Sequence, residues 1–262
     1  MVMSLTEKRY LQESLLSKPP VRPDGRNAEQ FRPIEIFTDF LPTSNGSSKI
    51  VASDGTECVV SVKCKVVDHA IEKDLIVVDV DIAGRRDDSP LVQEISSILN
   101  RVLLLQTDQE QLRLTKKYSF KLYIDVLVLS SYSHPLTLIS FAIYSALNCT
   151  QLPTLISSKD DLDVAELPTF HDYDMTELNI AVPIMFTLAI CGQNVIVDPA
   201  SSESDVASNG ILVTWYNDKV AAPVRTIGLN EEYTRGINPQ SLADSIQLIE
   251  ALAPKVLGAL DS

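Results

Sequence analysis

No stretch of this 262-residue chain approaches the roughly 20 apolar residues that a membrane-spanning helix needs. The longest apolar run, residues 180–191, is interrupted by Pro183 and reads as a buried strand. Histidine is scarce, at His69, His134 and His171 only. The four cysteines, Cys58, Cys64, Cys149 and Cys191, form no C-x-x-C and no metal-ligand spacing. They read as buried free thiols of a reducing compartment, cytosol or nucleus. No P-loop, G-x-G-x-x-G, G-x-S-x-G or H-E-x-x-H occurs, so the common signatures of nucleotide, hydrolase and zincin sites are missing. Positive charge is also short, with 22 Lys and Arg against 35 Asp and Glu, a net charge of −13. That balance excludes a protein that coats nucleic acid by itself, because non-specific affinity comes from cations displacing counterions. It is compatible with docking onto basic partners. The N-terminus has no apolar secretion-signal core and continues into Glu7, Lys8, Arg9 and Glu13.

What is present is 45% hydrophobic and 22% charged, ordinary for a globular protein large enough to bury a substantial core. Ser4-x-x-Glu7 is a capping box that opens an amphipathic helix over 5–17, with Leu5, Tyr10, Leu11, Leu15 and Leu16 as its apolar positions. Strands are expected over 34–40, 49–53, 56–67 and 75–82, with Asn45-Gly46-Ser47-Ser48 as a turn. A helix follows over 91–105, then a charged connection, a strong strand over 118–130 and a nearly all-apolar helix over 136–147. Residues 157–176 are acidic and proline-punctuated and read as the link between two halves. Beyond them lie strands near 180–190, 194–197, 211–216 and 220–229, and a helix over 239–260 that Pro254 should kink or split. This order predicts an α+β fold of mixed sheets.

The most informative stretch is Val21-Arg22-Pro23-Asp24-Gly25-Arg26, closed by Phe31-Arg32-Pro33-Ile34. Pro-Asp-Gly is turn chemistry: proline presets φ, aspartate bonds the backbone ahead and glycine takes φ > 0. The longer pattern R-P-D-G-R…F-R-P-I, before a strand and a Gly-Ser segment, resembles the opening of the RNase PH family. These are phosphate-dependent 3′-to-5′ exoribonucleases and their inactive relatives. The resemblance runs from Arg22 to about Asn217. It implies a ribosomal protein S5 domain 2-like arrangement, mixed sheets packed around central helices. The divisions expected are an N-terminal helix at 1–20, a first RNase PH-like half at 21–156 and a second at 157–262; the halves could also form one compact domain.

Phosphorolysis needs a cationic clamp for phosphate oxygens and a positioned carboxylate. Active family members supply the clamp from a glycine-rich turn ending in arginine before the buried helix. Here that stretch is Ser130-Ser131-Tyr132-Ser133-His134-Pro135, with neither glycine nor arginine. Active members also carry two aspartates around the second-half hairpin. Only the later one has a counterpart, Asp198; the earlier falls at Ile190 or Cys191. His134 and Asp198 are thus what remains of a degenerate phosphorolytic site. Asp198-Pro199-Ala200-Ser201-Ser202-Glu203 resembles the D-P-x-x-x-E run of the inactive relatives.

The resemblance therefore implies a catalytically inactive subunit of the RNA exosome core ring, supporting rRNA maturation and RNA turnover by threading RNA to associated nucleases. Its implied partners are other RNase PH-like subunits in a heterohexameric ring, S1/KH cap subunits, hydrolytic exoribonucleases and RNA in the ring channel. No cofactor or metal is implied, and the implied locations are nucleus, nucleolus and cytoplasm. In the related archaeal ring the inactive chain lends arginines to the RNA path from the helix before the middle strand. Arg101 falls at one such position and Leu105 at the next; Arg85 and Arg86 precede the same helix. Arg101, Arg85 and Arg86 are the RNA-binding candidates, against the alternative of solvated, salt-bridged surface charges. Two other readings remain: an active phosphate-dependent 3′-to-5′ exoribonuclease, or an unrelated enzyme with a metal at His171-Asp172-Tyr173-Asp174.

Overall fold

The computed structural model describes residues 3–156, 167–230 and 236–261. Helix α1 (Leu5–Leu16) opens with the expected capping box: Ser4 Oγ accepts from the Glu7 amide and the Glu7 carboxylate accepts from the Ser4 amide at 2.7 Å. Of its apolar residues only Leu11 and Leu15 are buried, while Leu5 and Tyr10 stay exposed.

The first sheet has five strands, β1 (Ile34–Thr38), β2 (Gly46–Ala52), β3 (Glu57–Asp68), β4 (Ile76–Ile82) and β5 (Tyr118–Ser130), in the order β1-β2-β3-β5-β4. All pairs are antiparallel except β4 with β5. Helix α2 (Pro90–Gln106) supplies the crossover between those two parallel strands and packs on β4. The connection after it contains a short 3₁₀ turn, Gln109–Leu112, anchored by the buried Leu112.

Helix α3 (Leu136–Asn148) lies between this sheet and a second, antiparallel one. Its apolar residues are buried nearly all round, each large side chain stabilising the fold by roughly 1.5–3 kcal/mol. Two of its hydroxyls are bonded, Ser140 Oγ accepting from the Met185 amide and Thr137 Oγ1 from the Thr187 amide, whereas Ser145 Oγ is buried without a partner. From the other side, Ser48 Oγ of β2 donates to the Ala142 carbonyl at 2.6 Å. These bonds fix α3 against both sheets.

A small two-stranded sheet, β6 (Gln151–Leu155) with β7 (Phe170–Glu177), follows α3. Within the link expected over 157–176, residues 170–176 are strand, which was not anticipated, and residues 157–166 lie outside the described residues. β7 is exposed along almost its whole length, so it shows no in–out alternation in sequence. The second large sheet is β8 (Ile184–Cys191), β9 (Asn194–Val197), β10 (Asn209–Tyr216) and β11 (Lys219–Ile227), in the order β11-β10-β8-β9. Between β9 and β10 sits the short α4 (Ser201–Val206), unanticipated from sequence. Helix α5 (Pro239–Leu260) covers this sheet and runs unbroken through Pro254. Pro254 is exposed, as is Glu250, so the carbonyl that loses its helical donor can be hydrated.

Two further corrections concern turns. Gly46, Ser47 and Ser48 belong to β2, not to a turn; the chain reverses earlier, where the Ser44 amide bonds the Leu41 carbonyl. The Pro-Asp-Gly turn is where the residues require it, with Gly25 at φ +75°. The main apolar cluster draws on both large sheets, α2, α3 and α5, and a smaller one gathers Leu11, Leu15, Ile196 and Val206 beneath α1.

Candidate functional site

The motif arginines and the one retained carboxylate meet in a single cluster. The β8–β9 hairpin and the α4 segment deliver Asp198 and Glu203; the segment before β1 delivers Arg22, Arg26 and Arg32. Arg22 is wholly buried and bonds both Glu203 oxygens at 2.7 Å. Its other donors go to the carbonyls of Asn27, Gln30, Val197 and Asp198 at 3.0–3.2 Å. All five N–H groups of this guanidinium are therefore spent.

Arg32 is committed to the same degree. Its Nε and backbone amide bond Asp198 Oδ2 at 2.8 and 2.9 Å, and its Nη2 reaches Asp198 Oδ1 at 2.8 Å. The remaining donors serve the Pro199 carbonyl, Asp54 and Ser133 Oγ. Burial alone would depress this guanidinium, yet the hydrogen bond and charge of Asp198, with the charges of Asp54 and Glu203, raise its pKa above the ordinary arginine value. Arg26 adds a further bond to Asp198 Oδ2 at 2.9 Å while holding Asp24 at 2.6 Å.

Asp198 thus accepts three hydrogen bonds from two arginines, with a further ion-pair contact to Arg32, and sits at φ +48°, a conformation that a non-glycine residue keeps only when its surroundings dictate it. The Asp198 carboxylate is held in place by these fixed cations. Arg22 and Arg32 have no spare fork for phosphate. The chemistry of the cluster is cohesion: it ties the N-terminal segment, the β2–β3 turn through Asp54, the loop before α3 through Ser133, and the β9–α4 corner.

His134 lies in the loop before α3, next to Ser133, and so within the same neighbourhood. The residue is half-buried; its Nδ1 is buried without a hydrogen-bond partner, and burial pushes its pKa down to about 4. The ring is neutral at pH 7 and offers no cationic clamp.

The RNA-binding candidates are not brought together. Arg101 is exposed on α2 and makes no ion pair or side-chain hydrogen bond among the described residues. Arg85 is likewise exposed, and Arg86 pairs with Asp88 at 3.2 Å across open solvent. From Pro90 to Arg101 the helix rises roughly 16 Å, so Arg101 and the Arg85–Arg86 pair sit near opposite ends of α2. Leu105, one turn beyond Arg101, is 65% exposed. His171 pairs with Asp174 at 3.5 Å on the exposed β7, and no group of three potential metal ligands occurs among the described residues.

The partnership of Arg22 with Glu203 and of Arg32 with Asp198 was missed in sequence. Its only trace was the co-occurrence of the R-P-D-G-R…F-R-P and D-P-x-x-x-E patterns.

A fold of one mixed and one antiparallel sheet around a buried helix, stapled by this cluster, is that of an RNase PH-like chain, and comparison with known proteins agrees. The profile of the 3′ exoribonuclease family, domain 1, matches residues 30–153. Exosome complex component RRP42 of Saccharomyces cerevisiae is 56% identical over 264 residues, covering 100% of both chains. Exosome complex component rrp42 of Schizosaccharomyces pombe is 26% identical, covering 99% of this chain and 94% of its own. Among solved structures, an archaeal exosome core chain superimposes with a TM-score of 0.76 at 20% identity, over 98% of this chain and 97% of that one. A chain of the Archaeoglobus fulgidus exosome with RNA bound to the active site gives 0.75 at 20% identity, over 97% of each. The chain belongs to the RNase PH family.

Proposed function

We propose that this chain is a non-catalytic subunit of an exosome core ring, which supports 3′-to-5′ RNA processing and degradation by threading RNA toward nucleases held elsewhere in the complex. The observation that carries the absence of catalysis is the saturation of Asp198 by Arg26 and Arg32, in a site whose only other candidate, His134, is neutral. The full-length 56% identity to a yeast exosome component supports the ring assignment. Its neighbours in this reading are other RNase PH-like chains, with S1/KH cap subunits and hydrolytic exoribonucleases bound to the assembled ring, in the nucleus, nucleolus and cytoplasm.

The purified chain, given inorganic phosphate, magnesium and end-labelled RNA, is expected to release no nucleoside diphosphate above the no-protein control. Steady release at a rate proportional to protein would overturn the non-catalytic reading and establish a phosphate-dependent exoribonuclease.

RNA contact in this reading falls to exposed cations outside the saturated cluster, and Arg101, exposed on α2 with no ion pair among the described residues, is the one at the position the family resemblance points to. Arg101→Glu is expected to leave assembly unchanged and to weaken RNA protection by the assembled ring several-fold, more so at low salt, as a phosphate contact would. Equal protection by parent and variant rings would remove Arg101 from the RNA path.

A further inference from the structure

The two edges of the first sheet are treated differently. At the β4 edge, Asn100 of α2 closes the outward backbone groups of Val78, accepting from its amide and donating to its carbonyl, both at 2.8 Å. The next outward amide, that of Val80, is taken by Asp79 Oδ1. That edge is blocked against a further strand. The β1 edge is open. Its hydrogen bonds to β2 are bracketed by Ser53 to Pro33 and by Asp39 to Ser47. With the register Glu35 to Val51 and Phe37 to Lys49, this parity turns the amides and carbonyls of Ile34, Ile36 and Thr38 away from β2. No partner closes those groups among the described residues.

The same three residues put their side chains along a groove of about 580 Å³. Phe141 of α3 and Val256 and Leu260 of α5 form its other walls. The charged groups of its lining, Arg32 and Asp198, are already satisfied by each other. An open strand edge whose alternate side chains line an apolar trough between strand and helix is the geometry of strand addition. On the opposite face of β1 stand the exposed Glu35 and the half-exposed Phe37, with the exposed Asp39 just beyond.

We infer that β1 is a docking edge for an extended segment of a partner chain, about five residues long. Its apolar side chains, at every second position, fill the groove, and its intervening positions carry lysine, arginine or an aromatic residue against Glu35 and Phe37. The occupant is placed on a partner rather than a second copy by charge, since this chain carries −13 and its edge is acidic. The inference rests on the ring reading above and says where one neighbour is held.

The test is hydrogen exchange resolved to single amides, on the full chain alone and in the ring reconstituted with its RNase PH-like partners. The amides of Ile36 and Thr38 are expected to exchange rapidly in the free chain and about 100-fold or more slowly in the ring, with Val78 unchanged. A correctly assembled ring in which Ile36 and Thr38 stay unprotected would overturn the docking edge and leave the ring reading intact. Failure of the chain to enter any heteromeric ring would overturn both, and protection in a homomer would replace the partner by a second copy and so overturn this occupant. Ile36→Pro gives an independent reading, because the amide it deletes makes no bond to β2. It is expected to weaken co-assembly at least 10-fold while leaving the unfolding midpoint of the free chain close to the parent's; undiminished co-assembly would contradict the docking edge.

Discussion

Arg22→Met should destabilise the isolated chain by about 3–5 kcal/mol, because it leaves Glu203 charged, wholly buried and without its cation. The four carbonyls that Arg22 also serves lose their donor in the same step. Urea unfolding followed by far-UV circular dichroism reads the effect directly. The double variant Arg22→Met with Glu203→Gln is the control that separates charge from packing. It removes the orphaned charge while keeping an amide able to accept from the Ala200 amide, as Glu203 does at 2.7 Å. The double variant is expected to recover 1 kcal/mol or more of the loss, within the roughly 0.5–3 kcal/mol range of coupling between contacting groups. A single variant within about 1 kcal/mol of the parent would mean that the cluster does not hold the N-terminal segment onto the second sheet.

That cluster also marks the boundary of what could be read from residues alone. Elements whose burial has a period were legible: β5 runs over Tyr118–Ser130 as its alternation predicts, and α5 spans Pro239–Leu260 because Asn238 caps a Pro-initiated, periodic helix. β7 was not, since all its residues but the first are exposed and it is defined by pairing with β6 rather than by a buried face. Of the site, the residue types were visible and the pairing was not. Arg22 and Glu203 are 181 positions apart, and nothing local to either says which carboxylate meets which guanidinium. Asp198 reads in sequence as half of a degenerate catalytic pair; in the fold it is the acceptor around which Arg26 and Arg32 are fixed.

Gly46 shows the same lesson in packing, and Gly46→Val is expected to cost about 3 kcal/mol or more, or to prevent recovery of folded chain. A Cβ placed on Gly46 would lie 2.3 Å from Thr150 Oγ1, 2.6 Å from the Ala146 carbonyl oxygen and 2.8 Å from Thr150 Cα. Two of those three atoms are backbone at the C-terminal end of α3, so no rotamer change relieves the contact, and β2 must part from the central helix. Gly25 supplies the contrast. It has nothing within 4 Å of its Cβ position but lies at φ +75°, so Gly25→Ala carries only the backbone cost of roughly 1–2 kcal/mol. Denaturant midpoints of Gly46→Ala, Gly46→Val and Gly25→Ala would rank the two mechanisms. The expected order is Gly46→Val worst and Gly25→Ala mildest, with the Gly46 pair worsening as the side chain grows. Equal losses for Ala and Val at Gly46 would point to backbone conformation instead of close approach, and would restore the turn that the Asn45-Gly46-Ser47-Ser48 sequence suggests.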